Sequence, residues 1–227
     1  MYEKRRDWES LIAVMDREAQ MLEPADRPLR YVEMADLAQK RIRKPETVIP
    51  LWEKVLEVEP THAEALDALS QLYERAREWE KLATVLETLT DADPDPKQLQ
   101  KLGSIYADKI GDDAGAVRAF TKLLTIDPDD RRAQEQLKRR YVSLKAWDEL
   151  EEFYGSQDKW SELIRVLERE ADGKETEPEE RVDLLFRAAR LWIEREGKAD
   201  RAARAYEKVL DGDETNLAAA EALSPIY

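Results

Sequence analysis

The sequence predicts an all-α chain, an alpha-alpha superhelix of about thirteen antiparallel helices in one solenoid domain over residues 1–227. Three observations predict it. A phrase running from Tyr to Trp in six residues occurs as Tyr2/Trp8, Tyr73/Trp79, Tyr141/Trp147 and Tyr154/Trp160. Its tyrosines, with Tyr227, lie 71, 68 and 73 residues apart, interrupted once by a step of 13 between Tyr141 and Tyr154. Between the phrases apolar residues return every three or four positions, the period of an amphipathic helix.

The first helix, over 8–22, places Trp8, Leu11, Ile12, Met15, Ala19 and Leu22 on one face, and Pro24 and Pro28 end it. A second, over 29–41, carries Tyr31, Met34, Ala35 and Ala38. Pro45 marks a boundary; Pro50 is tolerated only if the helix carrying Trp52, Val55 and Leu56 has barely begun there, because proline lacks the N–H of a helix interior. Thr61 is the expected N-cap of the helix over 63–77, and a short turn leads into 79–89. The run Asp91-Ala-Asp-Pro-Asp-Pro96 separates that helix from 97–110, Gly111-Asp112-Asp113 turns the chain into 114–126, and Asp127 to Asp130 turns it into 131–144. The repeated phrase is stuttered next, so 141–153 reads as an insertion of about one short helix, and the stretch 141–160 as an irregular unit. After 160–171, the most acidic linker, 172–180, is expected to be mobile; helices over 180–196, 199–210 and 215–227 follow, the last kinked or cut short by Pro225.

Composition excludes several classes of function. With 51 acidic and 37 basic residues the net charge is −14, which opposes a phosphate backbone, so nucleic acid is not an expected partner. The basic clusters Lys4–Arg6, Arg41–Lys44 and Lys138–Arg140 read as solvated faces or helix C-termini. The absence of cysteine removes disulfides, thiolate metal sites and a cysteine nucleophile. No apolar run approaches the roughly 20 residues that span a bilayer, so no membrane partner is expected and the expected location is cytoplasmic.

One stretch has a name. Leu99-x2-Leu102-Gly103-x2-Tyr106, followed by Ala116-x3-Phe120-x2-Leu123-x4-Pro128, resembles the tetratricopeptide repeat, with one extra residue in the loop between the two helices. The same frame fits Tyr31 to Pro60, Leu66 to Leu89 and Leu185 to Val209, and more loosely Leu137, Tyr141 and Trp147. The resemblance implies that a small residue (Ala35, Ser70, Gly103, Ala189) lets the two helices of a unit approach, and that Tyr73, Tyr106 or Trp192 fills the wedge to the next unit. The departures are Glu214 in place of a proline, Lys138 at the small position and the stutter before Tyr154. In this phase the chain resembles a segment of a longer array, and each end is expected to expose an apolar face suited to head-to-tail packing.

No constellation points to chemistry. His62 stands alone at a helix start; Asp91, Asp93 and Asp95 lack the glycine and downstream ligands of a calcium loop; Gly111 to Gly115 lacks the lysine and hydroxyl of a phosphate loop. No catalytic residue, metal ligand or cofactor is assigned, and the chain is not expected to be an enzyme. Trp8, Trp79, Trp147 and Trp160 share one phase and are expected to be core.

The resemblance implies a scaffold that binds a peptide or helix of another protein in a groove lined by each unit's first helix. Carried onto this chain, the groove candidates are Asp67, Gln71 and Arg75 (with Glu74), Gln100 and Ser104 (with Asp108), Arg139 (with Glu135), and Phe186 and Arg190 (with Ile193). The family's clamp for chaperone tails needs Lys and Asn, and Asn216 is the only asparagine in the chain, so that activity is not expected. The alternative is an assembly or spacer module of a larger protein that self-associates through its ends.

Overall fold

The computed structural model describes residues 7–227, so Tyr2 and the basic cluster Lys4–Arg6 lie outside the described residues. Among those residues there are thirteen α-helices and no strand. The chain divides into two compact units, Met1–Leu144 and Lys145–Tyr227, and the division falls within the stretch 141–160.

Unit 1 contains α1 (Trp8–Met21), α2 (Arg27–Arg41), α3 (Pro45–Val58), α4 (Ala63–Ala76), α5 (Trp79–Ala92), α6 (Pro96–Ile105), α7 (Asp113–Ile126) and α8 (Arg131–Ser143). Each helix packs on the next, as short connections between helices require. The core is accordingly a line of side chains rather than a centre: Met34, Val55, Leu69, Leu82, Leu99, Phe120 and Leu123 are fully buried one after another along the stack. Unit 2 contains α9 (Trp147–Gly155), α10 (Trp160–Ala171), α11 (Pro178–Glu194), α12 (Ala199–Gly212) and α13 (Leu217–Leu223), again packed in sequence around Leu150, Leu163, Ile164, Leu184 and Ala188.

Local chemistry starts and stops these helices. Asp7, His62, Asp95, Asp112, Asp130 and Asn216 each accept a backbone N–H three residues on, satisfying one of the orphan donors at a helix start. The cap of α4 is therefore His62, not Thr61: its Nδ1 accepts from the Ala65 amide at 3.3 Å, which gives the lone histidine a structural task. Pro28, Pro45, Pro96 and Pro178 occupy the first turn of their helices, where the missing N–H costs nothing. Pro50 is the exception. The helix begins at Pro45 rather than at Pro50, so Pro50 sits inside α3 and the bond it would donate to Glu46 is absent; burial of Val48, Leu51, Trp52 and Val55 on the same helix compensates. Pro225 cuts the last helix short at Leu223.

A left-handed residue marks the turn that follows each of α2, α4, α6, α8, α9 and α11. Arg43, Arg77, Gly111 and Lys145 all have positive φ, each 34 residues beyond the one before, and Asp158 and Gly197 complete the set. At Gly111 the turn is prepared by a π-turn over Tyr106–Ile110, whose hallmark is the Gly111 amide donating to the Tyr106 carbonyl at 2.8 Å, five residues back. That wider turn absorbs the extra residue between Tyr106 and Ala116.

Two elements differ from the sequence expectation. The stretch 172–180 is tied down: Thr176 Oγ1 donates to the Glu170 carbonyl at 2.6 Å, Arg181 donates to the carbonyls of Ala171 (3.0 Å) and Gly173 (3.3 Å), and α11 has begun by Pro178. The cluster Lys138–Arg140 is not uniformly solvated. Arg140 is buried, 3.1 Å from Asp113 and 3.7 Å from Asp108, because α8 turns that side toward α7.

Candidate functional site

The aromatic expected to wedge between units does so and is anchored at its polar tip. Tyr73, Tyr106 and Trp192 are all buried, and each donates to a carboxylate on the helix before its own hairpin: Tyr73 to Glu53 at 2.7 Å, Tyr106 to Glu87 at 2.5 Å, Trp192 to Glu168 at 2.9 Å. Burial, reinforced by the neighbouring carboxylate, raises the Tyr73 phenol above its ordinary range and pushes Tyr106 up to about 12. Both stay protonated and go on donating at neutral pH.

The tryptophans fall into two sets. Trp52 and Trp192 are core. Trp8, Trp79, Trp147 and Trp160 are only half-buried, and three of them are capped by a cation from the end of the following first helix: Arg41 over Trp8 at 5.2 Å, Lys109 over Trp79 at 5.6 Å, Arg195 over Trp160 at 4.5 Å. Their shared phase marks a latch between hairpins and not a core position.

In unit 1 the candidate groove residues lie on first helices. Asp67, Gln71 and Arg75 are exposed on α4, where Glu74 is engaged by Lys101 at 2.8 Å. On α6 the Ser104 hydroxyl donates to the Gln100 carbonyl at 2.9 Å. The Gln100 amide is inaccessible and has no partner among the described residues, so it presents nothing to solvent. Arg139 is exposed on α8. These residues share a class of helix.

Unit 2 brings its two candidates together. Phe186 and Arg190 line a groove of about 950 Å³ with Asp148, Glu151, Glu152, Trp160, Arg187 and Tyr206. The groove runs between α9 and α11 because α9 is the first helix of its own hairpin with α10 and is only nine residues long. Trp147, Leu150 and Tyr154 on α9 repeat the spacing of Leu66, Leu69 and Tyr73 on α4, and Leu150 and Tyr154 are buried in the same way. The segment read as an insertion is thus a unit's opening helix.

Packing fixes the floor of the groove. Phe186 meets Tyr206 edge to face at 5.2 Å and 66°. Gly155 admits the Trp160 ring so closely that a Cβ there would lie 2.5 Å from it. The rim is electrostatic. Arg187 pairs with Asp148 at 2.5 Å and with Asp183 at 2.8 Å, and Arg190 pairs with Glu151 at 2.7 Å, so two arginines of α11 reach across to α9. The Arg187 guanidinium holds the Asp148 carboxyl below the usual carboxylate range. Sequence reasoning missed Trp160, Tyr206, Asp148, Glu151, Glu152 and Arg187; the spacing of Trp147, Leu150 and Tyr154 was the signal that could have found the α9 side.

Among the described residues no group of three His, Asp or Glu side chains could hold a metal, and no helix is long and apolar enough to cross a membrane. Stacked two-helix units with half-buried latches and a groove between first helices define a class, the helical-repeat proteins. Residues 65–100 match the model of the tetratricopeptide repeat family, covering nearly all of α4, all of α5 and the start of α6. Among solved structures the chain is similar to MamA (17% identity over 84% of this chain and 93% of that one, TM-score 0.39). It is likewise similar to a tetratricopeptide repeat protein from Parabacteroides merdae (16%, 99% and 94%, TM-score 0.39). A third is YrrB, described as having an unusual peptide-binding site (14%, 92% and 96%, TM-score 0.38). Likeness at this level concerns the fold and transfers no function. A comparison with curated proteins gives no match.

Proposed function

We propose that the chain is a non-enzymatic protein–protein interaction scaffold that receives a peptide or a helix of a partner protein in a groove lined by first helices. The groove of unit 2 is the place where the candidate residues Phe186 and Arg190 meet, and that observation carries the reading. Its volume falls within the range of pockets that engage ligands, it is open along its length, and its aromatic floor offers apolar area with little rotamer entropy to lose. Within unit 1, the exposed residues of α4 and Arg139 on α8 are candidate contacts of their own. Affinity capture with the intact chain and with Phe186→Ala tests the reading. A protein retained by the first and lost with the second supports it, whereas an unchanged set of retained proteins overturns it.

A further inference from the structure

The charge and exposure of the groove walls in unit 2 select among possible occupants. Four carboxylates line it, those of Asp148, Glu151, Glu152 and Asp183, against the two guanidiniums of Arg187 and Arg190. Both arginines are already paired with carboxylates, although the Arg190 side chain stays 47% exposed. Arg187 is held between Asp148 and Asp183, and Arg190 has both oxygens of Glu151 within hydrogen-bond distance. Glu152, exposed on α9, has no ion pair or side-chain hydrogen bond among the described residues, and the Asp148 side chain is 84% exposed while using one oxygen on Arg187. The walls therefore carry a net negative charge with unspent acceptors, over a floor of Trp160, Phe186 and Tyr206.

We infer that the occupant is a cationic amphipathic segment of another protein, one that lays a large apolar side chain on Phe186 and Trp160 and a lysine or arginine against Glu152 and Asp148. The inference rests on the groove reading above and adds the chemistry of the partner. Complementary charge sets partner choice and encounter rate more than raw affinity, and the net charge of −14 reinforces the same preference at long range. An acidic segment meets repulsion from the four carboxylates and has to compete with Glu151 and Asp148 for the two arginines.

The test uses the intact chain and two short labelled helical peptides, one of leucine and lysine and one with every lysine replaced by glutamate, followed by fluorescence anisotropy. The lysine peptide binds and the glutamate peptide does not. Glu152→Gln, a change at an exposed position that leaves the fold intact, weakens the lysine peptide roughly tenfold, as loss of one charge-assisted contact does. Phe186→Ala weakens it by a similar factor. Stronger binding of the glutamate peptide, still sensitive to Phe186→Ala, overturns the charge assignment while leaving the groove standing. If neither substitution changes binding of the lysine peptide, its attachment is diffuse attraction to an acidic surface and the groove reading falls as well. Failure of both peptides to bind also overturns the inference.

Discussion

Gly103 has no side chain because Phe120 occupies the space one would need: a Cβ there would stand 2.6 Å from two carbons of that ring, and Phe120 is fully buried. Gly103→Ala gains up to about 1 kcal/mol in helix propensity. It incurs an overpacking cost of about 1–3 kcal/mol. The net expectation is a loss of about 1 kcal/mol, read as a lowered denaturant midpoint, with Phe120→Leu in the same chain restoring part of it. Tyr106 makes a second prediction. Its folded-state value of about 12 lies above the ordinary phenol value, so the folded chain holds a proton that the unfolded chain releases. The stabilisation is complete below about pH 10, the ordinary value. It disappears as pH rises through about 12. Tyr106→Phe removes this residue's share of the dependence and makes the alkaline limb of the unfolding curve less steep, Tyr73 retaining its own, while phenolate absorbance in the parent chain shows tyrosines titrating late. Identities at this scale were legible in sequence where a small or aromatic residue kept its phase. The latch tryptophans were not, because phase places a side chain between hairpins without saying that Arg41, Lys109 or Arg195 will cover its face from the next element.

At the scale of the element, the turn inside each hairpin is the conserved geometry and its residue is not. Gly111 takes φ 79° and Arg77 takes φ 60° in equivalent turns. A left-handed conformation costs a residue with a Cβ roughly 1–2 kcal/mol. Gly111→Ala is therefore expected to lower stability by about 1 kcal/mol, and Arg77→Gly to raise it by a few tenths, since glycine also loses more chain entropy on folding. Thermal midpoints of the two variants moving in opposite directions check the argument. Helix number and order were readable from the apolar spacing and the prolines. Two features were not. The extra residue before Ala116 was visible, but not that it would be taken up by a π-turn, because the choice depends on which carbonyl the Gly111 amide reaches. The opening helix of unit 2 was read as an insertion because the short interval between the phrases at Tyr141 and Tyr154 hid the spacing Trp147, Leu150, Tyr154; with it went the acidic α9 wall of the groove.

For the whole molecule, stability is a sum of neighbour contacts along each unit, so damage is expected to stay local. Gly103→Ala should weaken amide-exchange protection in α5 to α8 and leave α10 to α12 unchanged; loss of protection throughout would show that the units unfold as one. The second reading of function belongs to this scale. Leu217 and Tyr227 are 70% and 82% exposed in unit 2, and Met21 and Leu29 are 87% and 70% exposed in unit 1, apolar surface that a second copy could cover. If the chain associates through these surfaces, sedimentation mass rises with concentration and Leu217→Glu returns it to that of a monomer. A mass independent of concentration counts against that reading and leaves the groove unaffected.

The even spacing of Arg43, Arg77, Gly111 and Lys145 has a consequence for how such a chain changes length. Cutting out residues 44–77 would join Arg43 directly to Glu78, one left-handed joint replacing another with every downstream side chain still facing its old direction. A whole module can be lost or copied in this way as a single genetic event within the evenly spaced run, whereas the steps of 13 residues from Lys145 to Asp158 and 39 from Asp158 to Gly197 break the spacing, and an exchange there would throw the following helices out of phase.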